Sequence, residues 1–132
     1  MKLLLVEDNP DDQWFAQRAF RKHAPAVLLV LAEDGVAALE TIRAASGPKP
    51  DFVLLDMNLP RMGGREVLRA LREDPSTGAL PVVAFTTDDD DPDEFAGDDR
   101  TVCLRKPLDF ARLRGALAAM GLKSTAVDFG TA

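Results

Sequence analysis

Cysteine is nearly absent. Cys103 stands alone, which excludes an internal disulfide and a four-cysteine zinc site. No apolar stretch approaches the ~18 residues that a membrane-spanning helix needs. The opening Met-Lys-Leu-Leu-Leu-Val-Glu-Asp reaches two acids too soon for a signal peptide. Positive charge is in deficit: 16 Lys and Arg against 22 Asp and Glu give a net charge of -6. That balance argues against a surface built to neutralise nucleic-acid phosphates. Internal repeats are lacking, and 132 residues leave no room for a second folding unit with its own core. What remains is enough for one core, since 46% of the residues are apolar. A small, soluble, cytoplasmic domain is the expectation.

Five short runs rich in Val, Leu and Phe punctuate the chain, at residues 3–6, 27–31, 52–55, 82–85 and 102–104. They lack polar alternation, which is how strands buried on both faces read. Between them apolar residues recur at helical spacing. Phe15, Ala16, Ala19 and Phe20 form one stripe, and Val36, Leu39 and Ile42 a second. Val67, Leu68 and Leu71 form a third, and Phe110, Leu113, Leu117 and Met120 a fourth. Pro25, Gly47-Pro48 and Asp74-Pro75 punctuate the ends of the first three, and Asp109 is a fitting N-cap for the last. Strand–helix alternation with short connections predicts an α/β fold: a doubly wound, five-stranded parallel sheet. Ligands of such sheets bind at the carboxyl ends of the strands. The domain is expected over residues 1–121, with residues 122–132 an unassigned tail.

One segment departs from this pattern. Asp88 to Asp91, Asp93, Glu94, Asp98 and Asp99 carry -8, so the rest of the chain is net +2. Only Phe95 and Ala96 offer a packing face there, so any helix in this stretch is expected to be short or irregular. A solvated acidic loop is the plain reading; a surface that attracts a partner or a cation is the sharper one.

The strand ends carry the chemistry. The first run ends at Glu7-Asp8, the third at Asp56, the fourth at Thr86-Thr87, and Lys106-Pro107 follows the fifth. In a parallel sheet all of these meet at one edge. Taken singly they are ordinary: acid pairs start helices, and Lys-Pro makes turns. Taken together, three carboxylates repel unless a cation neutralises them, and hard oxygen ligands with room for water suit Mg²⁺. A lysine and a threonine beside them supply the fixed charge and the hydroxyl that a phosphoryl group needs.

On Val6-Glu-Asp, Leu54-Leu-Asp-Met-Asn-Leu-Pro-Arg-Met-Gly-Gly, Phe85-Thr-Thr and Leu104-Arg-Lys-Pro, residues 2–121 resemble a response regulator receiver domain of the CheY-like family. The opening Leu-Leu-Leu-Val-Glu-Asp-Asn-Pro-Asp-Asp is also similar to single-domain regulators that partner bacterial phytochromes. The resemblance implies that Asp56 accepts a phosphoryl group from a sensor histidine kinase, a bacteriophytochrome being one candidate. It implies that Asp8 and Asp56 hold Mg²⁺ with the backbone carbonyl of Asn58, and that Glu7 acts through a coordinated water. Lys106 would pair with Asp56 and then with the phosphoryl oxygens, and Thr86 would bond the acyl phosphate and shift with it. Pro60 and Gly64 would shape the loop after the third strand, Gly64 by adopting positive φ. A ~1–3 kcal/mol difference in phosphoryl contacts would change the ratio of two conformers ~5- to 150-fold. The chain would then be no classical enzyme but a phosphoacceptor that assists its own phosphorylation and dephosphorylation. It would signal by binding proteins rather than nucleic acid or membrane, with a second copy of itself as a further candidate partner.

Four departures from the family pattern matter. Cys103 replaces the usual Tyr or Phe three residues before the lysine, so no ring can swing in behind Thr86. The stretch from Thr86 to Cys103 is about two residues short, which argues against the common dimer surface on a fourth helix. Thr87 replaces a small residue beside the site, which predicts slow phosphoryl exchange. Asp88, like Asn58, occupies a position that tunes hydrolysis of the acyl phosphate. Two other functions compete with the phosphoacceptor: an unphosphorylated interaction module on the same fold, and an aspartyl phosphatase. The phosphatase would want a second Asp where Asn58 stands. His23 is expected at the surface rather than as a relay histidine, and Trp14 in partial burial.

Overall fold

The structure is a computed structural model that describes residues 1–44, 49–59, 62–86 and 97–122. The strands are β1 (Lys2–Val6), β2 (Leu28–Ala32), β3 (Phe52–Asp56), β4 (Val82–Thr86) and β5 (Thr101–Arg105). The described helices are α1 (Pro10–His23), α2 (Gly35–Arg43), α3 (Gly64–Glu73) and α4 (Phe110–Ala119). All five strands pair in parallel in the order β2-β1-β3-β4-β5. The expected fourth helix within the acidic stretch, the dimer surface on it, Gly47-Pro48, Pro60, Thr87, Asp88 and the tail beyond Leu122 lie outside the described residues.

Two apolar layers sandwich the sheet. On one face Leu3, Leu5, Phe52, Leu54 and Val83 meet Ala16 and Phe20 of α1 and Leu113 and Leu117 of α4. On the other, Leu4, Val6, Val53, Leu55 and Ala84 meet Leu39 and Ile42 of α2 and Val67, Leu68 and Leu71 of α3. The alternate residues of each central strand thus enter opposite layers, which is why β1, β3 and β4 read as unbroken apolar runs. The edge strands differ from expectation. Leu28 is 63% exposed and most of β2 and β5 only half-buried, because each has a partner strand on one side alone. Leu122 still packs on the α1–α4 layer, its N–H donating to Leu117 O at 2.9 Å.

Helix starts follow local capping chemistry. Asn9 accepts from the N–H groups of Asp11 and Asp12, Asp34 from Ala37, and Asp109 from Ala111 and Arg112. α3 has no such cap and begins at Gly64 for a steric reason. A Cβ there would lie 2.7 Å from Met57 Cα and 2.8 Å from the Asp56 carbonyl oxygen. The expectation of positive φ at Gly64 is corrected: among the described glycines only Gly121 has it, at 86°. Gly64 is required by close approach to the strand end it follows. Gly64→Ala should therefore cost about 1–3 kcal/mol in urea unfolding, because two of the three crowding atoms are backbone and cannot turn aside. An unchanged midpoint would contradict this account.

At the amino edge of the sheet Arg72 joins three segments. Its guanidinium donates to Asp98 Oδ2 at 2.7 Å, Leu80 O at 2.8 Å, Thr101 Oγ1 at 2.8 Å and Arg100 O at 3.0 Å. Asp98 also accepts from Thr101 Oγ1 and the Arg100 N–H. It is thus part of the frame, not of a solvated acidic face.

Candidate functional site

At the carboxyl edge the strand pairing decides which groups meet. β1 and β3 are neighbours, β3 and β4 are neighbours, and β4 pairs with β5. The residue after a strand is tied to the adjacent strand by its backbone. Glu7 N–H donates to Ala32 O at 3.0 Å, Met57 N–H to Phe85 O at 3.0 Å, and Lys106 N–H to Thr86 O at 3.2 Å. The side chains therefore stand on a framed edge rather than on free loops.

Carboxylate oxygens of Glu7, Asp8 and Asp56 all lie within 4.8 Å of one another. Glu7 and Asp56 are buried, and Asp8 is exposed. The Lys106 ammonium donates to Glu7 Oε1 at 2.8 Å, Asp12 Oδ2 at 2.9 Å and Asp56 Oδ2 at 3.3 Å. Asp56 Oδ1 accepts from the Asn58 N–H at 3.0 Å. Glu7 Oε2 accepts from the Asp8 N–H at 3.1 Å, and Gln13 Nε2 donates to Glu7 O at 2.7 Å. Thr86, buried, ends β4 one position beyond Phe85, the register partner of Asp56. All six residues expected at the site thus share one sheet edge.

Among the described residues, the electrostatics are those of an acid cluster with one cation. Burial, and then the neighbouring Asp56 carboxylate, push the Glu7 carboxyl up to about 7. Burial pulls the Lys106 ammonium down, but its bonds to Glu7 and Asp12 and the charge of Asp56 outweigh that and hold it above the usual lysine range. A carboxyl raised on folding binds its proton more tightly when folded. Its contribution to stability is therefore lost as pH rises from the unfolded value of about 4.5 through about 7. Without divalent metal, wild type should lose stability against Glu7→Gln between pH 5 and pH 8, and Mg²⁺ should shrink that loss. Parallel pH profiles of the two proteins would refute it.

The donor set fits a small divalent cation: hard oxygens, one of them exposed, and charge in excess of what a single ammonium neutralises. Beside it a cleft of about 410 Å³ lies between α1 and the loop after β5, lined by Glu7, Asp12, Trp14, Phe15, Lys106 and Leu108 among others.

Asp12 joins this site without having been expected there. It lies four residues before Ala16 and eight before Phe20, both buried, so it stands in the row of α1 that faces the sheet. An acid in an inward row needs a partner, and that spacing was the available signal. Two expectations on α1 are corrected. Phe15, placed in the apolar stripe, is 47% exposed, and Trp14, expected in partial burial, is 58% exposed with Arg18 stacked 5.2 Å from its ring. A one-residue difference in helical phase turns both outward. His23 is half-buried against the Phe110 ring.

The family model "Response regulator receiver domain" matches residues 3–118. Response regulator Rcp1 of Synechocystis sp. is 34% identical over 98 residues, which cover 71% of this chain and 67% of that protein. The structure of the bacteriophytochrome response regulator AtBRR superposes with a TM-score of 0.83 at 30% identity, covering 92% of this chain and 93% of the other. The receiver domain of sensor histidine kinase PA1611 from Pseudomonas aeruginosa PAO1, solved with magnesium in its active-site cleft, gives 0.73 at 27% identity, over 91% and 97% of the two chains. A parallel 2-1-3-4-5 sheet with an acid cluster and a lysine at its carboxyl edge is the receiver architecture. The chain belongs to the response regulator receiver domain family, the receivers of two-component signalling. Among the described residues no helix is long and apolar enough to cross a membrane.

Proposed function

We propose that residues 1–121 of this chain, followed by a tail at 122–132, act as a response regulator receiver whose Asp56 accepts a phosphoryl group from a histidine kinase. The observation that carries the reading is the placement of the Asp56 carboxylate, buried, beside two further acids and within 3.3 Å of Lys106. An Asp56 oxygen attacks the phosphorus of a phosphohistidine, the P–N bond breaks, and the imidazole leaves with the electron pair. Such transfer needs positioning and charge neutralisation more than covalent assistance. The Asn58 N–H orients one Asp56 oxygen, leaving the other toward Lys106. Lys106 balances the incoming phosphoryl charge, and Thr86 offers its hydroxyl to the acyl phosphate.

Asp8, Asp56 and the Asn58 carbonyl would hold Mg²⁺ directly, with Glu7 acting through a water; the ion, when bound, neutralises the acids and the transferring group. The likeness to AtBRR favours a bacteriophytochrome as the partner kinase. Output is by protein–protein contact in the cytoplasm. A small phosphoryl donor with Mg²⁺ tests the reading: one added phosphoryl mass supports it. No labelling by any donor favours the unphosphorylated interaction module, for which Cys103 in place of an aromatic speaks. Turnover of external phosphomonoesters would favour the phosphatase.

A further inference from the structure

We propose that Asp12 is a positioning residue that competes with the phosphoacceptor for Lys106, holding the ammonium more closely than Asp56 does; the inference rests on the reading of Asp56 as that acceptor. Lys106 has three N–H donors and spends them unequally. Glu7 and Asp12 take it at 2.8 Å and 2.9 Å, while Asp56 is reached only at 3.3 Å. Glu7 is fixed by backbone donors from Asp8 and Asn9. Asp12 reaches the ammonium from the first turn of α1, in the cleft that it lines together with Lys106. A phosphoryl group on Asp56 would offer the ammonium more strongly charged acceptors, in competition with Asp12 for the same donors.

An interaction made in the resting state and broken on the way to the product stabilises the ground state alone, and so slows phosphoryl gain. Asp12 thus sets how readily the site accepts a donor. Its neighbour Asp11 supplies the matching control. Both acids lie in the first turn of α1 and both line the cleft, but among the described contacts only Asp12 touches Lys106.

The test compares phosphorylation rates with acetyl phosphate and Mg²⁺ in wild type, Asp12→Asn, Asp12→Glu and Asp11→Asn. Asp12 is part-exposed, so the expected gain in Asp12→Asn is about three- to fivefold. Asp12→Glu should stay near the wild-type rate, and Asp11→Asn should change less than about 1.5-fold. Equal acceleration in both Asn variants would mean through-space charge on the donor, and an unchanged or slower Asp12→Asn would reject the competition outright. Wild type that takes no label would defeat the proposed function instead. A second measurement needs no donor. The ¹⁵N resonance of the Lys106 ammonium, assigned by its loss in Lys106→Met, should move in Asp12→Asn and not in Asp11→Asn. Identical resonances in the two variants and wild type would overturn the proposal.

Discussion

Acetyl phosphate with Mg²⁺ should add one phosphoryl mass to the wild-type chain and none to Asp56→Asn, with the label also lost when EDTA removes the metal. The substitution exchanges one oxygen for an amide nitrogen of the same shape, so the Asn58 N–H keeps an acceptor, while Lys106 loses its Asp56 oxygen but retains Glu7 and Asp12. What disappears is the nucleophile. Loss of labelling is therefore expected to be complete within detection. Unfolding can be separated from loss of chemistry, because Asp56→Asn also removes a charge that crowds Glu7. Its Mg²⁺-free protein should melt no lower than wild type, and the Glu7 carboxyl should titrate nearer the ordinary range. A labelled Asp56→Asn would move the acceptor to Asp8 or elsewhere and sink the assignment.

The largest effect on stability should come from the opposite edge of the sheet. Arg72→Ala removes the donors that hold Leu80 O, Arg100 O, Thr101 and Asp98 together and leaves Asp98 without its cation. Arg72 and Asp98 are only 19% and 26% exposed, so a loss of about 3 kcal/mol is expected, a large share of the stability of a domain this size. Arg72→Lys should recover only part, because a point charge cannot address acceptors in several directions at once. The pair also has a pH signature. Burial works to raise the Asp98 carboxyl, but hydrogen bonds from Arg72, Thr101 and the Arg100 N–H outweigh it and hold the group below the usual range. The stabilisation is then present above an unfolded value near 3.8 and fades as pH falls through the lower folded value. Urea titrations below pH 4 should show wild type converging on Arg72→Ala. A constant gap at all pH would assign the effect to the carbonyl acceptors alone.

Much of this was legible in the sequence, and the exceptions have physical causes. The three central strands announced themselves because their side chains enter two apolar layers, leaving no polar alternation. Val27–Leu31 looked the same, yet β2 is a half-exposed edge: run composition reports apolarity, not the number of neighbouring strands. The candidate acids, Thr86 and Lys106 could be singled out because each stands at or just beyond a strand end, and the structure brings them to one sheet edge. Asp12 and Arg72 escaped because each is one charge among several on its own helix. Only the four-residue row to Ala16, and from Leu68 to Arg72, marks them as inward. Gly64 was rightly singled out for the wrong reason, since a glycine spared for space and one spared for φ are identical as letters.

The backbone ties from Glu7 to Ala32, Met57 to Phe85 and Lys106 to Thr86 have a practical corollary. Each pins the first residue beyond its strand, so Glu7 and Lys106 should keep their places when residues further along the loops are changed. On the proposed function, exchanging loop residues other than Asp8 and Asn58 for those of a relative should leave phosphoryl labelling of Asp56 in place.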